Sequence, residues 1–158
     1  MLKDLISSLS NKSRIYFCTQ IFSRFDTPEV DLTNVESYCM ECILALAEPS
    51  VQEFAHMMGI SAPNAAYKVN ALIRKGYIEK TQSMLDKREF YLKPTKKFLD
   101  IYYTRNDYAD KLAKRIEDRF SAEDIDKFED MLKIIINELT PELDQKNYNI
   151  SKNKKLKC

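Results

Sequence analysis

Glycine is scarce in this sequence. Only Gly59 and Gly76 occur in 158 residues, beside a single histidine, His56, and there is no long apolar run. Each shortage excludes something. A bilayer span takes about 20 apolar residues, so no membrane-crossing segment is expected. Without a glycine-rich loop there is no cradle for a nucleotide phosphate. One histidine with no cluster of ligands around it gives no metal site. No nucleophile–base pair stands in a motif that marks an enzyme, and no cofactor is implied. Four cysteines without a regular framework, in a chain long enough to bury one core, point to a reducing compartment and a cytoplasmic protein. The N-terminal "MLKDLISSLSNK" is amphipathic, is interrupted by Asp4 and lacks a small-residue cleavage site, so it is not read as an export signal.

The net charge of +1 conceals a strong segregation. Ser61 to Lys97 holds nine Lys/Arg against three Asp/Glu, while Asp107 to Asp144 holds six against twelve. Met1 to Ile60 nets −4, and the tail from Gln145 to Cys158 adds +5. A basic middle segment between acidic flanks can engage a polyanion even though the whole chain is neutral.

Apolar residues recur at helical spacing through most of the chain, so a mainly α protein is expected. Leu2, Leu5, Ile6 and Leu9 form one short stripe. After the polar "SNKS", Ile15, Cys18, Phe22 and Phe25 form a second, and Val35, Tyr38, Cys39, Cys42, Ile43 and Leu46 a third that stops at Pro49. Ser50 can cap a short helix carrying Val51, Phe54, Ala55 and Met58 and ending at Gly59. Ser61 can cap the next, with an inner face of Ala62, Ala66, Val69, Leu72 and Ile73 and an end at Gly76. Helix, short glycine turn, helix is the helix-turn-helix pattern. From Tyr77 the period changes: "YIEKTQS" and "EFYLKP" read as a β-hairpin around "MLDKR", with Phe90 and Leu92 facing the core. The expected fold is therefore mainly α, a winged helix-turn-helix with a small β-hairpin wing.

Two helical stretches follow. Thr95 can cap the first, which runs to about Phe120 through Phe98, Tyr102, Leu112 and Ile116. Ser121 can cap the second. Its seam, Ile125, Phe128, Leu132, Ile135 and Leu139, has heptad spacing. Met131, Ile134 and Ile136 widen its apolar surface, so burial on more than one side is expected. The lysine-rich residues 145–158 read as a disordered basic tail.

On the second helix of the unit, the face opposite the expected core carries Asn64, Lys68, Ala71 and Lys75, with Ser61 at its start. Asn can pair bidentately with adenine, Lys can reach guanine or phosphate, Ser can bond either, and Ala71 permits close approach. A helix-turn-helix before this face and a basic hairpin after it favour double-stranded DNA as the partner.

The run "VQEFAHMMGISAPNAAYKVNALIRKGYIEKTQSMLDKREFYLKPTKKF" resembles the DNA-binding core of the MarR family of bacterial transcription regulators. The features that match are the short helix ending in Gly59, Ser61 opening the next helix, "LIRKGYIEK" entering the hairpin, and Asp86-Lys87-Arg88 at the wing. Two features depart from the family: "LKPTKKF" lacks its usual glycine after the wing, and the wing tip has neither glycine nor proline. The resemblance implies that Arg88 enters the minor groove, with Lys87 beside it, and that Asp86 orients the wing. A narrow A·T-rich minor groove concentrates negative potential, which suits Arg88. It also implies a homodimer built from a helical dimerisation region at 1–30 and 96–144, with the winged unit at 31–95 reading DNA. A ligand-responsive repressor follows, with a small-molecule effector between the two regions.

Two rivals remain on the same scaffold. Cys39 and Cys42 form a C-x-x-C, and with Cys18 they allow a thiol-based redox sensor. All three fall on apolar stripes, and no Lys or Arg adjoins the Cys39–Cys42 pair, which favours core packing. The other rival is a winged-helix module that binds protein.

Overall fold

The computed structural model describes residues 1–23, 27–84, 86–105 and 108–144, without the side chains of Phe22, Thr104 and Arg105. Phe25 and the expected disordered tail at 145–158 lie outside the described residues. The chain divides into two compact units, Met1–Phe98 and Leu99–Cys158.

The first unit holds α1 (Leu2–Ser23), α2 (Asn34–Leu46), α3 (Val51–Met58), α4 (Ala62–Arg74), β1 (Ile78–Gln82), β2 (Phe90–Pro94) and the start of α5 (Lys96–Arg105). The two expected N-terminal stripes are one helix, because none of the "SNKS" residues breaks a helix as Gly or Pro would. Both α2 and α3 open on a capping box. Thr33 Oγ1 accepts from the Glu36 N–H while Glu36 accepts from the Thr33 N–H, and Ser50 with Glu53 repeats this at 3.2 and 2.7 Å. Ser61 caps α4 through the Asn64 N–H, and Pro63 sits in the first turn, where its missing N–H costs nothing.

Both glycines end helices. Gly59 has φ +64° and Gly76 φ +76°. Around each, two N–H groups reach back to the last turn: Gly59 to His56 and Ile60 to Ala55, Gly76 to Ile73 and Tyr77 to Leu72. This is the Schellman arrangement. Between α2 and α3, Ala47 and Glu48 are left-handed at φ 50° and 60° without being glycine.

The strands pair antiparallel from Ile78↔Pro94 to Gln82↔Phe90. The Leu92 N–H bonds the Pro49 carbonyl at 2.7 Å, and Ser50 bridges Tyr91. The wing is thereby tied to the start of α3. Leu92 is buried, as expected, but Phe90 is 42% exposed because it lies at the turn end of the hairpin. Phe54, Tyr77 and Phe98 are the largest buried side chains, each contributing roughly 1.5–3 kcal/mol. Tyr77 and Phe98 meet edge to face at 6.1 Å.

Several core assignments shift. On α4 the buried residues are Ala65, Val69 and Leu72, and Ala62 is exposed. On α2, Met40 is fully buried, while Val35 and Tyr38 are 52% and 43% exposed. Ile15 and Cys18, expected on an apolar core stripe, are exposed on α1.

The second unit contains the remainder of α5, then α6 (Tyr108–Glu117), α7 (Ala122–Ile134), a π-helical turn at Ile135–Leu139 and a 3-10 turn at Pro141–Leu143. Ser121 caps α7 through the Asp124 N–H at 3.2 Å. The heptad seam does not persist, because the wider π turn shifts the register after Ile134. Thr140 Oγ1 donates to the carbonyls of that turn, at 3.0 Å to Ile135 and 3.3 Å to Ile136. The expected burial of α7 on more than one side is not found among the described residues. Among the described residues α6 and α7 bury none, and Phe128, Met131 and Ile136 are exposed. A groove of about 520 Å³ lies between them, lined by Ile116, Phe120, Asp124, Ile125 and Phe128.

Candidate nucleic-acid interface

The outward face of α4 follows from what its inward face buries. With Ala65, Val69 and Leu72 packed inside, the residues half a turn away are Pro63, Tyr67, Asn70 and Arg74, all exposed. Tyr67 is 69% exposed. The expected face of Asn64, Lys68, Ala71 and Lys75 is rotated from this line. Asn64 lies at its edge and is exposed, whereas Lys68 and Ala71 are half-buried. Sequence reading missed Tyr67, Asn70 and Arg74, although their three- and four-residue spacing is helical. The inner face runs through Ala65 and not through the expected Ala62 and Ala66.

Lys75 points elsewhere. Its Nζ lies 2.9 Å from Glu36 Oε2 and 3.5 Å from Asp31 Oδ1, and its side chain is 25% exposed. Glu36 raises the Lys75 pKa by hydrogen bonding. Burial pushes Glu36 up, but the Thr33 N–H and Lys75 outweigh it and hold the carboxyl below its ordinary value. An ammonium with two carboxylate partners is neutralised before any phosphate arrives.

Ser61 Oγ spends an acceptor position on the Asn64 N–H, leaving its O–H to donate. Lys80 Nζ reaches the Asn70 side-chain oxygen at 3.5 Å, which places β1 beside the exposed line of α4.

At the wing, Asp86, Lys87 and Arg88 are exposed. Asp86 Oδ1 accepts from the Arg88 N–H at 2.9 Å, and the Glu89 N–H bonds the Asp86 carbonyl at 3.0 Å. Asp is favoured at the first position of such a turn because its side chain imitates a backbone acceptor. None of residues 86–89 takes a positive φ, so the turn needs no glycine. Gln82 Nε2 donates to the Lys87 carbonyl at 2.6 Å, and the Ser83 N–H to the Glu89 carbonyl at 2.9 Å.

Cys39 and Cys42 are buried on α2. Burial pushes the Cys39 thiol up to about 11, outweighing the attraction of Lys68. Lys68 is thus a basic neighbour that the sequence spacing did not reveal. A thiol held protonated is a poor nucleophile, so this pair behaves as core. Among the described residues no three His, Cys, Asp or Glu side chains form a metal-sized group, and no helix is long and apolar enough to cross a membrane.

Residues 32–90 match the family model described as the MarR family. No curated protein matches the sequence. Among solved structures, FabT of Streptococcus pneumoniae in complex with DNA aligns over 88% of this chain and 97% of its own, at 19% identity and a TM-score of 0.55. A MepR mutant from a multidrug-resistant S. aureus clinical isolate aligns over 89% and 98%, at 15% identity and 0.56. A MarR protein from Peptoclostridium difficile aligns over 89% and 90%, at 19% identity and 0.51. At these identities the likeness is one of fold. Over residues 32–90, a little over a third of its length, the chain is similar to the MarR family, and there it folds as a helix-turn-helix followed by a β-hairpin.

Proposed function

We propose that this chain is a homodimeric, sequence-specific DNA-binding transcriptional regulator, acting as a ligand-responsive repressor in the cytoplasm. The observation that carries this reading is the exposed line Tyr67–Asn70–Arg74 on α4, with exposed Asn64 at its edge, beside a wing whose turn presents Lys87 and Arg88. The recognition helix, residues 61–75, enters the major groove. Asn64 and Asn70 supply amides for base edges, Tyr67 an apolar ring with a polar tip, and Arg74 a fork for guanine or phosphate. Ser61 and Lys68 serve the flanking phosphates. The wing, residues 82–89, lies over the minor groove, where Arg88 reaches inward and Asp86 fixes its backbone.

A two-fold dimer reads a pseudo-palindrome with half-sites about 10 bp apart. The apolar faces of α1 and α7 supply surface for that pairing. A small-molecule effector acts by changing the spacing of the two recognition helices. The reading is tested by selecting bound sequences from a random duplex pool with the purified chain. Enrichment of a palindrome is expected; no enrichment refutes it.

A further inference from the structure

The recognition helix is held at its C-terminal end by a closed set of contacts. Lys75 Nζ bonds Glu36 Oε2 at 2.9 Å, across 39 residues of chain, and approaches Asp31 at 3.5 Å. The Asp31 N–H donates to the Tyr77 hydroxyl at 3.2 Å. Lys97 Nζ sits 4.5 Å from the Tyr77 ring centroid and donates to the Lys75 carbonyl at 3.1 Å. Thr95 Oγ1 donates to the Gly76 carbonyl at 2.7 Å and accepts from the Phe98 N–H at 3.4 Å.

The last carbonyls of a helix lack partners within it. Here Lys97 takes up the carbonyl of Lys75, the C-cap of α4, and Thr95 that of Gly76, the residue after it. The segment entering α2 and its first turn clamp the same point from another side. Arg74 stands immediately before the clamp and Asn70 about one turn before it. A small rotation at Lys75 therefore moves both relative to any groove.

We propose that Lys75, through Glu36, is a positioning residue that sets the orientation in which α4 meets DNA, without itself touching phosphate. This rests on the DNA-binding reading above. The two possible roles of Lys75 differ in salt dependence. A phosphate-contacting lysine releases counterions, and its loss lowers the slope of log affinity on log salt by about 0.9. A positioning lysine already neutralised by Glu36 leaves that slope alone.

The full-length chain is titrated with the selected duplex across a salt series, and its urea unfolding is measured in parallel. Glu36→Gln keeps the capping box, since Gln serves at that position, and removes only the charge. Lys75→Gln and Glu36→Gln are each expected to weaken binding about tenfold with the salt slope unchanged. The double variant should be no weaker than either single one, and Lys75→Arg should bind as the unsubstituted chain does. A reduced slope in Lys75→Gln, with Glu36→Gln binding normally, overturns the role in favour of phosphate contact. A lower urea midpoint with intact affinity in both variants overturns it in favour of a purely structural brace. If the unsubstituted chain binds no duplex, the DNA reading falls and this role falls with it. If it binds and the variants are unaffected, only the role falls.

Discussion

Gly59 and Gly76 show how much one residue decides in a chain with so few glycines. A Cβ at either would meet nothing within 4 Å, so space is not the constraint; the positive φ is. Gly59→Ala and Gly76→Ala should each lose roughly 1–2 kcal/mol in urea unfolding, with asparagine milder than alanine. Equal stability would mean that the turn relaxes to another conformation. Asp86 holds the wing by other means, its side-chain acceptor closing a turn that has no positive φ at residues 86–89. Asp86→Asn keeps that acceptor and should leave the Arg88 amide protected from hydrogen exchange. Asp86→Ala should speed its exchange, while global stability changes by less than about 0.5 kcal/mol because the tip is exposed. Unchanged exchange in Asp86→Ala would show that the turn does not depend on the carboxylate.

Helices α2 and α4 are coupled by the Lys75–Glu36 pair, and this gives stability a defined pH dependence. The folded Glu36 pKa is lowered, so its contribution is complete above the ordinary glutamate value and is lost as pH falls through the lowered one. The folded Lys75 pKa is raised, so its contribution is complete below the ordinary lysine value and fades as pH rises through the raised one. Glu36→Gln should accordingly flatten the acid side of the stability profile; an unaltered profile would assign the acid loss to other carboxylates. The same helix α2 buries Cys39 and Cys42 against the core. With the Cys39 thiol up at about 11, iodoacetamide at pH 8 should label neither cysteine until urea unfolds the chain. Rapid labelling of Cys39 or Cys42 in the native protein, located by peptide mapping, would reopen the redox reading.

For the molecule as a whole, the conspicuous feature is apolar surface left on the outside. Leu2, Leu5, Ile6 and Leu9 on α1 are between 60% and 72% exposed, and Phe128, Leu132 and Ile135 add a second face at 37–43%. Runs of this kind exceed scattered surface hydrophobes and mark interaction sites. Leu132→Glu combined with Ile135→Glu should give a monomer by sedimentation and abolish binding to a palindrome. If the unsubstituted chain sediments as a monomer at micromolar concentration, the dimer reading is wrong.

Local chemistry made much of this protein legible before its fold was known. Ser50 and Ser61 as caps, Gly59 and Gly76 as helix ends, Pro49 as a stop and the change of period after Tyr77 all act within a few residues of themselves. Such signals suffice to place a helix-turn-helix and its hairpin. Face assignment was harder, because one helical position is 100° of rotation and alanine fits either side of α4. Only packing against α2 and α3 decided that Ala65 goes in and that Tyr67, Asn70 and Arg74 come out. Long-range pairing was equally invisible. Lys75 looks like a DNA contact until the fold brings Glu36 within 2.9 Å, and Lys68 acts on Cys39 only across a helix packing. The sequence by itself determined where the elements of the winged unit begin and end, since caps, turns and periodicity are local interactions. The tertiary structure alone decided which charges remain available to a partner, since that depends on what stands opposite them in space.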